Sequence, residues 1–371
     1  MFPLFKKQQQ EEVDDLPILV FPEATNPLVL KAAAVLHKKQ KAAILLIGNK
    51  KDIEKAAEEN KVKLEGISIR DPAADDSFEE AGNTLYSLNE KSMDLTAAKE
   101  LALEPVYFAY YLLRSKQAHG IVLGASLSGQ EIFKPALQTF PENMRNVSSF
   151  NILTKQNYTI MFADCSMNAN PTPDRLAEIA MQSARSAKEL SLNPKVALLS
   201  FSTKGSSQHI DAEKVRDAVE SLEGFKIPFD GELQFDVAIN PDVAKRKGIG
   251  GDVAGHANVL IFPDLDSGNI AVKVAENLAG FEVLGPFVQG LPAPIGTLSD
   301  ACDVDEIYET AQIVALLARK VLNSANTEKE EDGDSEEENE HEEEGKEEEQ
   351  HDAGSEGDAE ESGQDESREH S

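Results

Sequence analysis

Ile18-Leu-Val-Phe21, an apolar helix opened by Pro27 and running through Leu36, then Ala42-Ala-Ile-Leu-Leu-Ile-Gly48: this strand–helix–strand reading decides the fold. Both short runs are apolar at every position, as strands covered on both faces must be, and proline suits the first turn of the helix between them. The pattern recurs. Further strands are expected at Gly120-Ile-Val-Leu123, Val147 to Ile152, Thr159-Ile-Met-Phe162, Val196 to Phe201, Val259-Leu-Ile-Phe262 and Glu282 to Val288. Helices are expected at Thr172 to Leu190, Asp211 to Leu222, Gly268 to Leu278 and Val304 to Val321. Strands alternating with helices predict an α/β fold with mostly parallel sheets. The chain has 371 residues, room for two such domains. Turn formers gather at Pro141-Glu-Asn-Met-Arg145, which places a boundary there. The expected layout is two three-layer α/β/α domains, residues 16–145 with 302–326 and residues 146–301, enclosing a cleft where open sheets bind ligands.

Residues 327–371 hold 23 of the 67 acids and only Lys329, Lys346 and Arg368 as bases, and their only apolar side chains are alanines. Such a stretch cannot bury enough surface to offset the entropy of ordering, so a disordered acidic tail is expected, acting either as a solvated extension or as an interaction arm. Without it the body still carries a net −11, which disfavours nucleic acid and anionic membrane surfaces as partners. No apolar run approaches the about 20 residues of a membrane helix, and no long apolar segment follows Lys6 and Lys7, so a secretory signal is not expected. A cytoplasmic protein is expected. Cys165 and Cys302 are the only cysteines, which excludes a disulfide scaffold and a four-cysteine zinc site.

Three polar stretches read as loops at strand ends: Ser200-Phe-Ser-Thr-Lys-Gly-Ser-Ser207, Asp230-Gly-Glu-Leu-Gln-Phe-Asp236 and Phe262 to Asn269. In the first, Ser202, Thr203 and Lys204 follow a buried strand, and hydroxyls, backbone N–H groups and an ammonium together suit an anion; an ordinary polar loop suits the same residues. In the second, Asp230, Glu232 and Asp236 fit acid–base work or a hard cation, and equally plain loop hydrogen bonding. Gly248-Ile-Gly-Gly-Asp-Val-Ala-Gly255 follows Lys245-Arg-Lys247 and no buried strand, so it is not a dinucleotide fingerprint. His37, His119, His209 and His256 stand alone, without ligand spacing, and no metal site is expected. No nucleophile elbow surrounds Ser202 or Ser299.

These loops, with Phe21-Pro-Glu23, Asp164-Cys-Ser-Met-Asn-Ala-Asn-Pro-Thr172, Val253 to Asn269 and Gly285-Pro-Phe-Val-Gln-Gly-Leu291, resemble in order the blocks of the phosphate acetyltransferase family, which includes the phosphate butyryltransferases. The resemblance spans about residues 16 to 324. It implies an architecture like that of the isocitrate and isopropylmalate dehydrogenases and a homodimer. It implies a CoA thioester and phosphate as substrates, with no cofactor beyond CoA itself. The implied reaction takes acetyl-CoA and phosphate to acetyl phosphate and CoA by direct attack in a ternary complex. Ser299 would then donate to the oxyanion or thioester, Glu306 would handle the CoA thiol proton, and Lys134 would anchor an anion. Ser128, Ser202, Thr203 and Lys204 would contact substrate.

Against that pattern the chain departs at cationic positions. The family has arginine where this chain carries Asp300 after Ser299, Asn277 before a leucine, and Lys134 before Pro-Ala-Leu-Gln; two further arginines align with Leu28 and Asn89. Lysine keeps charge but loses the bidentate fork, whereas Asp300 reverses the sign where polyanions meet. Lys204, Arg145 and Lys273 are the cations open to substitute. A second function of another class therefore accompanies the transferase: a catalytically degenerate relative serving as a ligand-sensing or interaction module.

Overall fold

The computed structural model describes residues 16–299, 301–319 and 322. The expected tail and Asp300 lie outside the described residues. In chain order the first elements are β1 (Ile18–Phe21), α1 (Pro27–Lys38), β2 (Ala43–Ile47), α2 (Lys50–Glu59), β3 (Ser68–Arg70), α3 (Phe78–Asn89), α4 (Leu95–Ala102), α5 (Pro105–Arg114), β4 (Gly120–Leu123) and α6 (Gly129–Thr139). Then come β5 (Ser148–Lys155), β6 (Tyr158–Ala163), α7 (Pro173–Glu189), β7 (Val196–Leu199), α8 (Ile210–Glu220), β8 (Phe229–Leu233), α9 (Phe235–Ile239) and α10 (Pro241–Arg246). The series ends with β9 (Val259–Ile261), α11 (Leu265–Asn277), β10 (Glu282–Gln289), β11 (Ile295–Thr297) and α12 (304–319).

Among the described residues the 11 strands join in one sheet, in the order β3-β2-β1-β4-β11-β10-β5-β6-β9-β7-β8. The two sheets expected from sequence are thus two arms of one. Pairing is mostly parallel; the antiparallel pairs are β11 with β10, β10 with β5, and β5 with β6. Because of that seam, β1, β4 and β11 point one way and β6, β9, β7 and β8 point the other. Loops that follow the two sets of strands therefore leave from opposite edges.

Alternation along each strand builds the layers. Leu19 and Phe21 of β1 and Ile44 and Leu46 of β2 pack beneath α1, α2 and α12, in a core continuous with Ile152, Met161 and Leu198 under α7 and α8. Val20, Leu45 and Ile47 face the other way, onto Phe108 and Leu112 of α5 and Ile132 of α6. On that second face the far arm has its own cluster, Phe162, Leu199 and Leu260 against Val237 and Val272. The result is a mixed, mostly parallel α/β sheet covered by helices on both faces.

Two glycines seat α12. A Cβ on Gly296 of β11 would lie 2.7 Å from Thr310 Cγ2 and from Val314 Cγ2, and one on Gly120 of β4 would lie 2.5 Å from Val314 Cγ1. Backbone and helix thus meet with no room for a side chain. Gly296→Val is expected to lower stability by about 1 to 3 kcal/mol through overpacking, read as a lower urea midpoint at unchanged slope.

Candidate active site at the ends of three parallel strands

The carboxyl ends of β1, β4 and β11 lie side by side. From β11 the chain passes through Leu298 to Ser299 and enters α12, whose first turn holds Glu306. Asp303 Oδ1 accepts the Glu306 N–H at 2.9 Å and so caps that turn. The Glu306 carboxylate in turn takes both donors of Ser299, the backbone N–H on Oε1 at 3.0 Å and the hydroxyl on Oε2 at 3.0 Å. Burial raises the Glu306 pKa above the ordinary carboxylate value; the Ser299 donors oppose the shift, and the charges of Asp303 and Glu276 add to it. Cys302, buried beside the pair, has its thiol pushed up to about 11 by burial and by Glu306, Glu23 and Asp303.

Glu306 opens onto a groove of about 620 Å³. Its carboxylates are Glu276, Glu282, Asp303, Asp305, Glu306 and Glu309. Among the described lining residues the one cation is Lys39, whose Nζ sits 4.4 Å from the centre of the Tyr308 ring. Glu276 arrives because α11 runs back from the opposite edge and ends here. Asn277, next to it, donates to Lys273 O at 3.0 Å and to Glu276 Oε2 at 3.4 Å, while Lys273 pairs with Glu276 at 3.3 Å. The groove therefore carries a negative field at the residue pair best placed for proton transfer.

The remaining sequence candidates lie elsewhere. Ser128 is the N-cap of α6: its hydroxyl accepts from the Glu131 N–H at 3.4 Å, and its own N–H and hydroxyl donate to Glu131 Oε2 at 2.8 and 2.6 Å. Lys134, on the same helix, lines a smaller cavity of about 310 Å³ together with Tyr107, Glu104 and Glu131. That cavity shares no lining residue with the acidic groove. Asn89 ties α3 to α6 through Gln138 O at 2.8 Å, and Leu28 packs against the core under α1.

Ser202, Thr203 and Lys204 follow β7, five strands from β11 and on strands of the opposite direction. Their donors and acceptors are taken. Ser202 Oγ donates to Glu232 Oε1 at 2.6 Å and accepts from the Ser207 N–H at 3.0 Å. Thr203 Oγ1 accepts from the Gln234 N–H at 3.0 Å. Lys204 Nζ pairs with Asp230 and donates to Gly231 O at 2.8 Å. Arg216 Nη1 completes the cluster, 3.1 Å from Glu232 Oε1. Asp230 and Glu232 lie on β8, a strand that the sequence suggested was loop, and their carboxylates fasten the β7 loop.

Ser299 and Glu306 are thus brought together; Lys134 and the Ser202–Lys204 loop are not joined to them. Sequence reasoning missed Glu23, Lys39 and Glu276 as neighbours of the pair, because they come from separate segments with no common spacing; it also missed Asp303, which lies within the Ser299–Glu306 stretch and shows itself only as the cap of α12. Among the described residues no group of three or more His, Cys, Asp or Glu is disposed to hold a metal, and no helix is long and apolar enough to cross a membrane.

The profile of the phosphate acetyl/butaryl transferase family matches residues 4–315. The phosphate acetyltransferase of Acetivibrio thermocellus is 41% identical over 321 residues, covering 83% of this chain and 96% of that protein. That of Bacillus subtilis (strain 168) is 35% identical over 322 residues, covering 86% of this chain and 100% of the relative. The crystal structure of a phosphotransacetylase from Streptococcus pyogenes superposes with a TM-score of 0.79 at 33% identity, over 85% of this chain and 98% of that one. With near-complete coverage in sequence and in fold, this chain belongs to the phosphate acetyl/butaryl transferase family and is an acyltransferase.

Proposed function

We propose that the protein moves an acetyl group between CoA and inorganic phosphate, by direct attack within a ternary complex and with no cofactor beyond CoA as substrate. The observation that carries this reading is the Ser299–Glu306 pair, a half-buried carboxyl of raised pKa holding a hydroxyl and an N–H at the mouth of a groove. A phosphate oxygen attacks the thioester carbon, the C–O bond forms, the C–S bond breaks, and the leaving sulfur takes a proton. In the reverse direction the CoA thiol gives that proton up. A carboxyl whose pKa is raised above its ordinary value is better matched to giving and taking this proton than one left at that value. The Ser299 hydroxyl can turn from Glu306 to the developing oxyanion when Glu306 is protonated. Lys134 lies on α6, across the sheet from α12, and enters the proposal as an anion anchor on the family resemblance alone, which also extends it to a homodimer in the cytoplasm.

A second reading has its own observation: six carboxylates and one lysine line the groove where two polyanions would have to meet. That charge balance suits a relative that keeps the scaffold for sensing or interaction. Release of CoA from acetyl-CoA and phosphate, compared between the unaltered chain and Asp300→Lys, separates the two. Turnover by the unaltered chain supports the transferase, and Asp300→Lys is expected to lower the phosphate KM by about tenfold, the scale of one charge-assisted contact. No CoA release from either protein, with no heat of CoA binding in calorimetry, selects the second reading.

A further inference from the structure

We infer that Glu23 is a positioning residue, a carboxylate latch that holds the loop leaving β4 against the end of β11 and thereby sets where Ser299 sits. Glu23 follows β1 in the turn that enters α1, where its carbonyl accepts the Asn26 N–H at 3.0 Å. Its side chain crosses to the β4 exit and takes four donors there. Oε2 accepts from the N–H groups of Gly124 and of Ala125, the latter at 2.9 Å; Oε1 accepts from the N–H of Ser126 at 2.6 Å and from its hydroxyl at 2.7 Å. Three consecutive amides aimed at one point form an anion-binding nest, and here the anion is supplied by the protein.

The gripped loop packs on the residue that follows β11. Leu298 N–H donates to Leu123 O at 3.0 Å. A Cβ on Gly124 would lie 3.1 Å from Leu298 N, so the loop packs against the residue immediately before Ser299. Gly124 also has a φ of 109°, a conformation that glycine alone adopts easily. One side chain thus ties the exit of β1 to the loop leaving β4, and that loop in turn packs on Leu298 at the exit of β11. With the latch gone, the nest would lose its charge and the loop its anchor, and Ser299 and Glu306 would no longer be held to one arrangement. A misplacement of about 1 Å at a reacting group costs about 100-fold in rate.

The inference rests on the acetyl-transfer reading for what Ser299 does, and its test separates the two. In Glu23→Ala, kcat is expected to fall by about 10- to 100-fold, with the KM for acetyl-CoA changed by less than about threefold. Formate, small enough to enter the vacated nest, should restore kcat saturably. Glu23→Gln, which fills the space without the charge, should show a smaller loss and no response to formate, and it serves if the alanine variant does not fold. Hydrogen exchange at the amides of Gly124, Ala125 and Ser126 reads the latch without turnover: slow in the unaltered chain, fast in Glu23→Ala, slow again with formate. Full kcat in Glu23→Ala while those amides exchange fast overturns the inference. So does a lost kcat that formate leaves unrestored while it protects the amides. Absence of turnover in the unaltered chain strikes the acetyl-transfer reading instead, and the latch then stands or falls on amide exchange alone.

Discussion

Glu306→Gln is expected to lower the rate of CoA release from acetyl-CoA and phosphate by about 100- to 10,000-fold, the range for a positioned proton-transfer group. The amide keeps the shape and one acceptor for Ser299, so the loss reports the proton and not the fold. The sign of the pH dependence follows from the cause of the shift. Burial, Asp303 and Glu276 hold the Glu306 pKa above the ordinary value, outweighing the Ser299 donors. With acetyl phosphate and CoA as substrates, Glu306 must be ionised to accept the thiol proton. The rate therefore rises with pH through this raised pKa, and that limb should disappear in Glu306→Gln. Glu276→Gln removes a like charge and should move the limb to lower pH; a limb that stays in place rejects Glu306 as its source. Stability runs the other way. A carboxyl with a raised folded-state pKa weakens the fold once it ionises, so Glu306→Gln should be no less stable than the parent at neutral pH.

Removing Arg216 from the far cluster should have the largest effect on stability. Glu232 is 1% exposed, with Oε1 shared by Ser202, Gly205 N–H and Arg216, and Oε2 buried without a hydrogen-bond partner among the described residues. Arg216→Met keeps the length of the side chain and strands that charge. The expected loss is about 3 kcal/mol, the low end for breaking a buried pair, since Arg216 is itself partly exposed. Burial alone would raise the Glu232 pKa, but Ser202, the Gly205 amide and Arg216 together hold it below the ordinary value. Its contribution is therefore present above the unfolded-state pKa near 4.5 and lost as pH falls through the lower folded-state one. Urea midpoints should differ most between parent and Arg216→Met near neutral pH and converge in acid. Arg216→Met with Glu232→Gln should recover most of the loss, because the stranded charge is then gone; equal losses in the single and double variants would show that packing alone matters.

The strands with branched, uncharged runs were legible because both faces of the sheet are covered: β1, β2, β4, β7 and β9 fall where their composition places them, within a residue or two at each end. Those missed are short or mixed. β3 is Ser-Ile-Arg and β11 is Ile-Gly-Thr, as short as β9 but without its unbroken apolar run. β8 reads Phe-Asp-Gly-Glu-Leu, and its acids mark it as loop until Lys204, Ser202 and Arg216 are seen to receive them. The stretch from Phe262 to Asn269 turns from loop to helix at Leu265, where Asp264 caps the Ser267 N–H at 2.8 Å. In the site, Ser299 and Glu306 lie seven residues apart and meet across one helix entrance, a short-range fact that a sequence can carry. The Glu23 nest is different. Three of its four donors are main-chain amides, which every residue but proline possesses, so no side-chain pattern announces it.

Order of synthesis adds a constraint on how this sheet is completed. β10 and β11 lie between β4 and β5, yet they are made after every other strand among the described residues. On the ribosome, a nascent chain that has already emerged through residue 281 presents two half-built arms, each with an open strand border where its neighbour belongs. Only when residues 282–297 appear can they be inserted as the joining pair, and α12 then closes over the seam. Chaperone capture in the cell is therefore expected to be heaviest on translation intermediates that stop just short of that insertion.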